Sequence, residues 1–301
     1  MKNRKLNTVC FGEMLWDVLP ETKQVGGAPL NVAFHLQSLG CNSHIVSKVG
    51  DDTLGKELLD FLRTRNLSTE YVQQGKAHLT GVAKANISDK SEVTYKILHP
   101  VAYDYIELND KNKALAEGAD VFIYGSLAAR NQVTLSTLLR LLTEAKFKVF
   151  DVNLRAPFYN REIIEKLLQT ADLIKLNEHE VEIISSWLSL EGTEENKIKG
   201  ISKMYGNATV CLTRGDKGAL LYLKDQLYYQ TGYSVEVKDT IGSGDAFLAA
   251  LIYMILSGKS ANESLAYACG LGSLVATYQG ATPAISFDQI EEFISTNLNT
   301  L

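Results

Sequence analysis

The chain has 301 residues, 46% of them hydrophobic and 22% charged, with a formal net charge of −5. Such a length suits one large α/β domain or two small ones, and the composition is that of a soluble globular protein. The negative balance argues against a nucleic-acid polymer as partner, and no apolar run reaches the roughly 18 residues of a membrane span.

The first residues, Met1 to Asn7, are basic but lead straight into a strand-like segment rather than a signal-peptide core. The cysteines at 10, 41, 211 and 269 are far apart in apolar surroundings. Neither metal-ligand nor disulfide spacing is present, so buried free thiols in a reducing cytoplasm are expected.

Thr8–Leu15 reads as one short buried strand, with Asp17 just past its end, where open α/β sheets place ligand-binding groups. Gly26 and Gly27 then let backbone approach a ligand closely, and Pro29 suits an early helical position. Asn31 falls in the first turn of that helix, where it caps locally or offers its amide to a hydroxylated substrate.

After a strand at Ser43–Val49, Gly50 to Lys56 mimics the spacing of a Walker-type phosphate loop. Glu57 stands where Ser or Thr would hold magnesium, and Asp51 and Asp52 would crowd the phosphates. The stretch is better read as a turn capped by Asp51 or Asp52, with a helix through about Arg65.

Leu79–Leu98 alternates in the β manner, with a hairpin turn at Ser88–Ser91. It makes either a small accessory sheet lying over the site as a lid or an edge hairpin of the main sheet. Asp120–Tyr124, Lys148–Val152 and Asp172–Leu176 are short apolar strands separated by helices such as Gln132–Ala145 and Arg161–Thr170. That rhythm implies parallel βαβ units with right-handed crossovers.

Polar residues follow each strand in turn. They are Gly125-Ser126, then Asp151 to Arg155, then Asn177 to Glu180, and in a parallel sheet they share one rim. Arg155 could clamp a phosphate or a substrate oxygen, and Asn177 with Glu180 suits water held around Mg²⁺. Each has a plainer role open to it as a helix cap.

Ala208–Thr213, Ala219–Leu223, Gln226–Gln230 and Tyr233–Lys238 read as strands finishing the sheet antiparallel. They lead into Asp239-Thr-Ile-Gly-Ser-Gly-Asp245 and an apolar helix ended by Gly258. Gly242 and Gly244 can turn backbone N–H groups inward together, and the helix dipole adds to that field. The carboxylate of Asp245 at such a site suits a base taking a proton from an attacking hydroxyl; the plain alternative is an acidic helix cap.

Two more helices, Ala261–Tyr278 and Ser286–Leu298, complete the chain. Gly270 and Gly272 serve close packing there rather than a dinucleotide fingerprint, and the five histidines share no spacing for zinc or a triad.

Taken together, these residues resemble the ribokinase-like sugar kinases of the phosphofructokinase-B type, over roughly Thr8 to Leu298. Val25–Ala33 with Gly40, Gly50 and Gly55 is similar to that family's amino-terminal glycine signature, and Asp239–Asp245 to its carboxy-terminal one. The resemblance implies a single kinase domain over 1–301, an α/β/α three-layer sandwich on a mostly parallel sheet. A β lid would form from about 16–25 and 79–105, with lid-to-lid pairing as a route to a homodimer.

The implied reaction moves the γ-phosphoryl group of ATP, with Mg²⁺, to a sugar hydroxyl. Asp245 is then the base, and Gly242, Ser243 and Gly244 form the anion hole. Asp17, Gly27 and Asn31 bind sugar hydroxyls, joined by Gly26 and Arg155. Asn177 and Glu180 match the family's N-x-x-E element near Mg²⁺, and Thr213, Gly215 and Gly218 its nucleotide loop. Asp239 borders a K⁺ site in members that use potassium.

Gly12-Glu13…Asp17 with Gly-Gly-Ala-Pro-x-Asn-Val-Ala looks most like fructokinases, while Asp151-x-Asn-x-Arg155 is shared with 2-keto-3-deoxygluconate kinases. A sugar- or nucleotide-binding regulator on the same fold is the reading without catalysis. Cys269 and Ala284 depart from residues that some members carry near the adenine and the cation.

Overall fold

Alternate residues of the central strands feed two separate cores, which is what a sheet covered on both faces requires. Cys10, Ile123 and Val149 point into one core, while Val9, Phe11, Phe122 and Phe150 point into the other. The computed structural model describes residues 4–18, 22–87, 93–206 and 208–298.

The main sheet has nine strands: β1 (Asn7–Phe11), β4 (Asn42–Gly50), β5 (Val72–Gly75), β8 (Val121–Gly125), β9 (Lys148–Asp151), β10 (Leu173–Asn177), β11 (Thr209–Thr213), β12 (Ala219–Leu223) and β13 (Gln226–Gln230). Their order is β13-β12-β11-β10-β9-β8-β1-β4-β5. All neighbours from β11 to β5 run parallel, and β12 and β13 finish antiparallel as expected.

The helices α1 (Ala28–Ser38), α2 (Thr53–Thr64), α8 (Ser243–Leu256), α9 (Ala261–Ala276) and α10 (Phe287–Leu298) cover one face. The other face is covered by α3 (Asp110–Gly118), α4 (Gln132–Leu142), α5 (Arg161–Leu168), α6 (Glu178–Trp187) and α7 (Glu194–Met204). This is the three-layer α/β/α sandwich. Helix α8 is apolar on every side because it packs between α1 and α9 in a core shared with Cys211 and Leu221 of the sheet. Gly270 and Gly272 do serve packing: a Cβ at 270 would lie 2.8 Å from Ile294, and one at 272 would lie 3.4 Å from Phe247.

A second sheet of four strands, in order β3-β2-β6-β7, comprises β2 (Leu15–Val18), β3 (Lys23–Gly26), β6 (Gly81–Ile87) and β7 (Val93–Ile97). β2 pairs antiparallel with β3 and parallel with β6, and β6 pairs antiparallel with β7. The alternating stretch after Leu79 therefore forms a separate sheet and not an edge hairpin of the main one. Residues 102–105 lie outside it as a short 3-10 turn, and the turn at 88–91 falls outside the described residues.

Two strand readings need correction. Thr8–Leu15 is not one strand: the chain leaves the main sheet at Phe11 and enters the small sheet at Leu15. Gly12, at φ +143°, allows that departure, and a Cβ there would sit 2.9 Å from Pro29. Asp17 consequently lies within β2 rather than past the end of β1. Tyr233–Lys238 forms no strand and pairs with none among the described residues; its Lys238 N–H bonds instead to Ala276 at the end of α9.

The Walker look-alike is a packed turn. Asp52 caps α2 by accepting from Gly55 N at 2.7 Å and also accepts from Thr80 N at 2.8 Å. A Cβ at Gly55 would lie 2.2 Å from the Gly50 carbonyl, so these glycines serve protein packing.

Beside the small sheet, Asp104 is fully buried and accepts from Arg130 Nε at 2.7 Å, Val101 N at 2.9 Å and His99 Nδ1 at 2.9 Å. Arg130 also lies over the rings of Phe158 and Tyr103. Asp104→Ala would leave a guanidinium buried without its counter-charge, at a cost of roughly 3–5 kcal/mol. A clear fall in Tm is the expected result, and an unchanged melting curve would show that the pair is not what holds this corner.

Candidate active site

The strand order reverses direction at β1. From it the chain goes outward through β4 and β5, then returns to β8 on the other side. Open α/β sheets leave a crevice at such a switch point, outside the carboxyl ends of the strands. Glu13 follows β1, Ser126 follows β8, and Asp151 ends β9. The first turns of α1 and α8 meet the same rim.

Helix α1 begins at Gly27, whose φ of +110° suits glycine; a Cβ there would lie 2.4 Å from the Glu13 carbonyl. Gly26 likewise has Asp17 Oδ2 at 2.1 Å from where its Cβ would be. The close approach that these two glycines allow thus includes the protein's own Glu13 and Asp17, which brings both next to α1. No side chain caps α1, and Pro29 occupies its first turn as expected.

Asn31 is buried, and its amide donates to Asp245 Oδ2 at 2.8 Å across 214 residues of chain. Local capping of α1 is therefore not its role. Its Oδ1 is buried without a partner among the described residues, so one acceptor stays open at the site.

Helix α8 begins at Gly242, left-handed at φ +79°, where a Cβ would lie 2.6 Å from Ala281. That neighbouring segment is held from two sides. Asp239 accepts from Ile241 N at 2.9 Å and from Gly280 N at 3.0 Å, and His35 Nε2 donates to the Ala281 carbonyl at 2.9 Å. Burial pushes His35 down to about 4, so it is a neutral donor. The Ser243 N–H turns back to Thr240 O at 3.2 Å. Among the described residues, Gly242 and Gly244 N–H meet no acceptor, and the Ser243 hydroxyl is buried without a partner. These groups are unpaired donors gathered at a helix start, the kind of position where anions bind in other proteins.

The charges are coupled. Burial, then Asp151, raises Asp245 to about 6, against the lowering influence of Lys175, the Asn31 amide and Arg155. Burial raises Glu13 to about 7 and Asp17 to about 6, and Arg155 opposes both shifts. Exposed Arg155 thus favours the charged form of all three carboxylates, although among the described residues it forms an ion pair with none of them. Burial works against the charge of Lys175, yet Asp151, Glu180 and Asp245 bring it to about 12.

Asn177 and Glu180 form a reciprocal cap of α6 at 2.9 Å, and Glu180 also accepts from Leu154 N at 2.9 Å. The cap orders the Asp151–Arg155 segment on the rim and leaves lone pairs on Glu180 for water. Thr213 lies beside Asn177 in register, with its hydroxyl on the Leu176 carbonyl at 3.2 Å. Gly215 and Gly218 both have positive φ; a Cβ at Gly218 would lie 2.0 Å from the Gln230 carbonyl. These three stand one strand further along the rim, and among the described residues no hydrogen bond joins them to Asp245.

Sequence reasoning missed Lys175 and His35. The signal for Lys175 was present as a lysine inside the apolar strand Leu173-Ile-Lys-Leu176. His35 gave none, because its partner lies 246 residues away. Among the described residues no group of three His, Cys, Asp or Glu is placed to hold a metal ion, and no helix is long and apolar enough to cross a membrane.

The pfkB family of carbohydrate kinases matches residues 8–287. Fructokinase-2 of Solanum lycopersicum is 29% identical, over 92% of this chain and 92% of its own. Fructokinase from Vibrio cholerae, solved as a double mutant with fructose, ADP and potassium, has a TM-score of 0.83 at 21% identity, covering 98% of this chain and 100% of its own. The 2-dehydro-3-deoxygluconokinase of Thermotoga maritima has a TM-score of 0.85 at 20% identity, covering 97% of this chain and 99% of its own.

Since Asp245 is raised from 3.8 to about 6, the fold keeps a proton that the unfolded chain releases. Its contribution to stability is present below 3.8 and is lost as pH rises through about 6. Carbon-13 NMR of the aspartate side chains should show two groups titrating near 6, Asp17 and Asp245, of which Asp245 is the one bonded to Asn31. Asn31→Ala, which removes a donor to the anion, should move it higher; an unmoved titration would mean that the bond does not form in solution.

Proposed function

The chain belongs to the pfkB family of carbohydrate kinases, and on that premise we propose that it is an ATP-dependent fructokinase, passing the γ-phosphoryl group of ATP to a hydroxyl of fructose. One observation carries this reading: the 2.8 Å bond from Asn31 to Asp245. It sets a group suited to sugar hydroxyls against a carboxylate beside the unpaired donors of α8, which we read as an anion nest.

At neutral pH Asp245 is ionised, since its pKa is about 6, and it accepts the proton of the attacking hydroxyl. Asn31, Asp17 and Arg155, with the backbone at Gly26 and Gly27, hold the other hydroxyls. Gly242 and Gly244 N–H, with the Ser243 hydroxyl, receive the phosphoryl oxygens. Thr213, Gly215 and Gly218 border the nucleotide, next to Asn177.

Mg²⁺ would enter with the phosphates and offset their charge, its waters held at Glu180 and Asn177. The lone pairs left on Glu180 fit that role. Asp239 would border a potassium ion, as part of the turn that it ties to Gly280. The segments at about 16–25 and 79–105, which carry the small sheet, form the lid that excludes water, and two such lids pair in a homodimer. Sedimentation showing a monomer at every concentration would reject that pairing. The four buried free cysteines suit a reducing cytoplasm.

A 2-keto-3-deoxygluconate kinase is the second reading, favoured by the exposed guanidinium of Arg155, whose charge is felt at Glu13 and Asp17 and which would receive a carboxylate. A coupled ADP-release screen across sugars separates the two. Higher kcat/KM on 2-keto-3-deoxygluconate than on fructose would overturn the choice of fructose. Product from no sugar would favour a binding regulator.

Asp245→Asn should lower kcat by about 10²–10⁴-fold while leaving ATP affinity nearly unchanged. Turnover close to wild type would remove Asp245 from the role of base.

A further inference from the structure

Lys175 stands in the middle of β10, between the fully buried Ile174 and Leu176. Its side chain is 8% exposed, and its ammonium donates to Asp151 Oδ1 at 2.9 Å. Asp151, 5% exposed, lies directly opposite in register on β9, and its Oδ2 is buried without a partner among the described residues. A buried pair of this kind adds little stability over an apolar pair of the same volume. Its location is more informative than its energy. A Cβ at Gly244 would lie 3.4 Å from Lys175 Nζ, so the ammonium sits directly beneath the second glycine of that proposed anion nest. Asp151 is the acceptor it meets among the described residues, which leaves N–H bonds of the ammonium for a ligand.

We propose that Lys175 is a catalytic residue that completes the nest from below, hydrogen-bonding the phosphoryl group during transfer, and that Asp151 positions it. The proposal rests on the phosphoryl-transfer reading of Asp239–Asp245, but not on the identity of the sugar. In the step, the bond from phosphorus to the bridging oxygen of ADP breaks and a bond to the acceptor oxygen forms. The hydroxyl proton passes to Asp245, and Lys175 keeps its own protons throughout. Charge on the transferring group spreads over its equatorial oxygens. A cation fixed before the reaction therefore meets that charge without reorganisation.

Two variants and one measurement on the unaltered protein test this. Lys175→Met removes the cation but leaves Asp151 buried and unpaired, so it is read beside the double variant Asp151→Leu/Lys175→Met, which replaces the pair by an apolar one. The double variant should melt near wild type, lose about 100-fold or more in kcat, and keep its sugar KM within about threefold. Calorimetry with Mg·ATP and Mg·ADP, without sugar, should show ATP affinity falling more than ADP affinity. A double variant with wild-type kcat and unchanged preference for ATP would make the pair merely structural and overturn the proposal. In the unaltered protein, the nitrogen-15 signal of the Lys175 ammonium should shift when Mg·ADP and aluminium fluoride are added with sugar. An unmoved signal overturns the proposal whatever the variants do. Should no sugar be phosphorylated, the sugar-free calorimetry still decides the role of Lys175, so the two failures are told apart.

Discussion

The contact between Asn31 and Asp245 is the constraint on which the site depends. It requires the first turns of α1 and α8 to come within hydrogen-bond reach while α1 packs on β1 and β4 and α8 packs against α1 and α9. Two backbone conformations make that possible, at Gly27 and at Gly242, where a side chain would strike Glu13 and Ala281. Asp239 and His35 then hold the turn behind α8 from opposite directions. Removing any one of these ties would loosen the position of a carboxylate whose use depends on where it points.

Electrostatics at the rim follow from that packing. Glu13, Asp17 and Asp245 are raised mainly because burial disfavours their charged forms. Two cations answer them, Arg155 from the exposed side and Lys175 from the interior. Arg130 is different in kind. Asp104 already neutralises it in a closed network, so it holds the corner of the fold beside the small sheet. A site short of positive charge on its own is suited to a ligand that arrives as a metal-bound polyanion.

Much of this was legible in the sequence where the signal is local. Strands β8 to β12, the antiparallel finish, the Asp52 cap and the glycine loop before α8 all follow from periodicity, turn residues and capping chemistry over a few neighbours. The failures also have local causes. Thr8–Leu15 is apolar throughout, and nothing in that run marks where the chain changes sheets; Gly12 does so only because Pro29 lies against it. Tyr233–Lys238 has strand composition, but α9 and not a neighbouring strand accepts the Lys238 N–H. Gly26 and Gly27 also admit Asp17 and Glu13 at close range, neighbours that no local signal names.

By itself the sequence determined the class of fold and the chemistry available, because hydrophobic period and residue type are properties of short stretches. It named Asp245, Asn31 and the glycines as candidates without saying that they touch. Only the tertiary structure decided that Asn31 serves Asp245 rather than its own helix, and that Lys175 lies under Gly244. The reason is physical: hydrogen bonds and charges act over a few ångströms in space, and the residues that share them here lie 214 and 69 positions apart (245 − 31 and 244 − 175). Which distant residues become neighbours is set by strand order and helix packing, and those exist only in the folded chain.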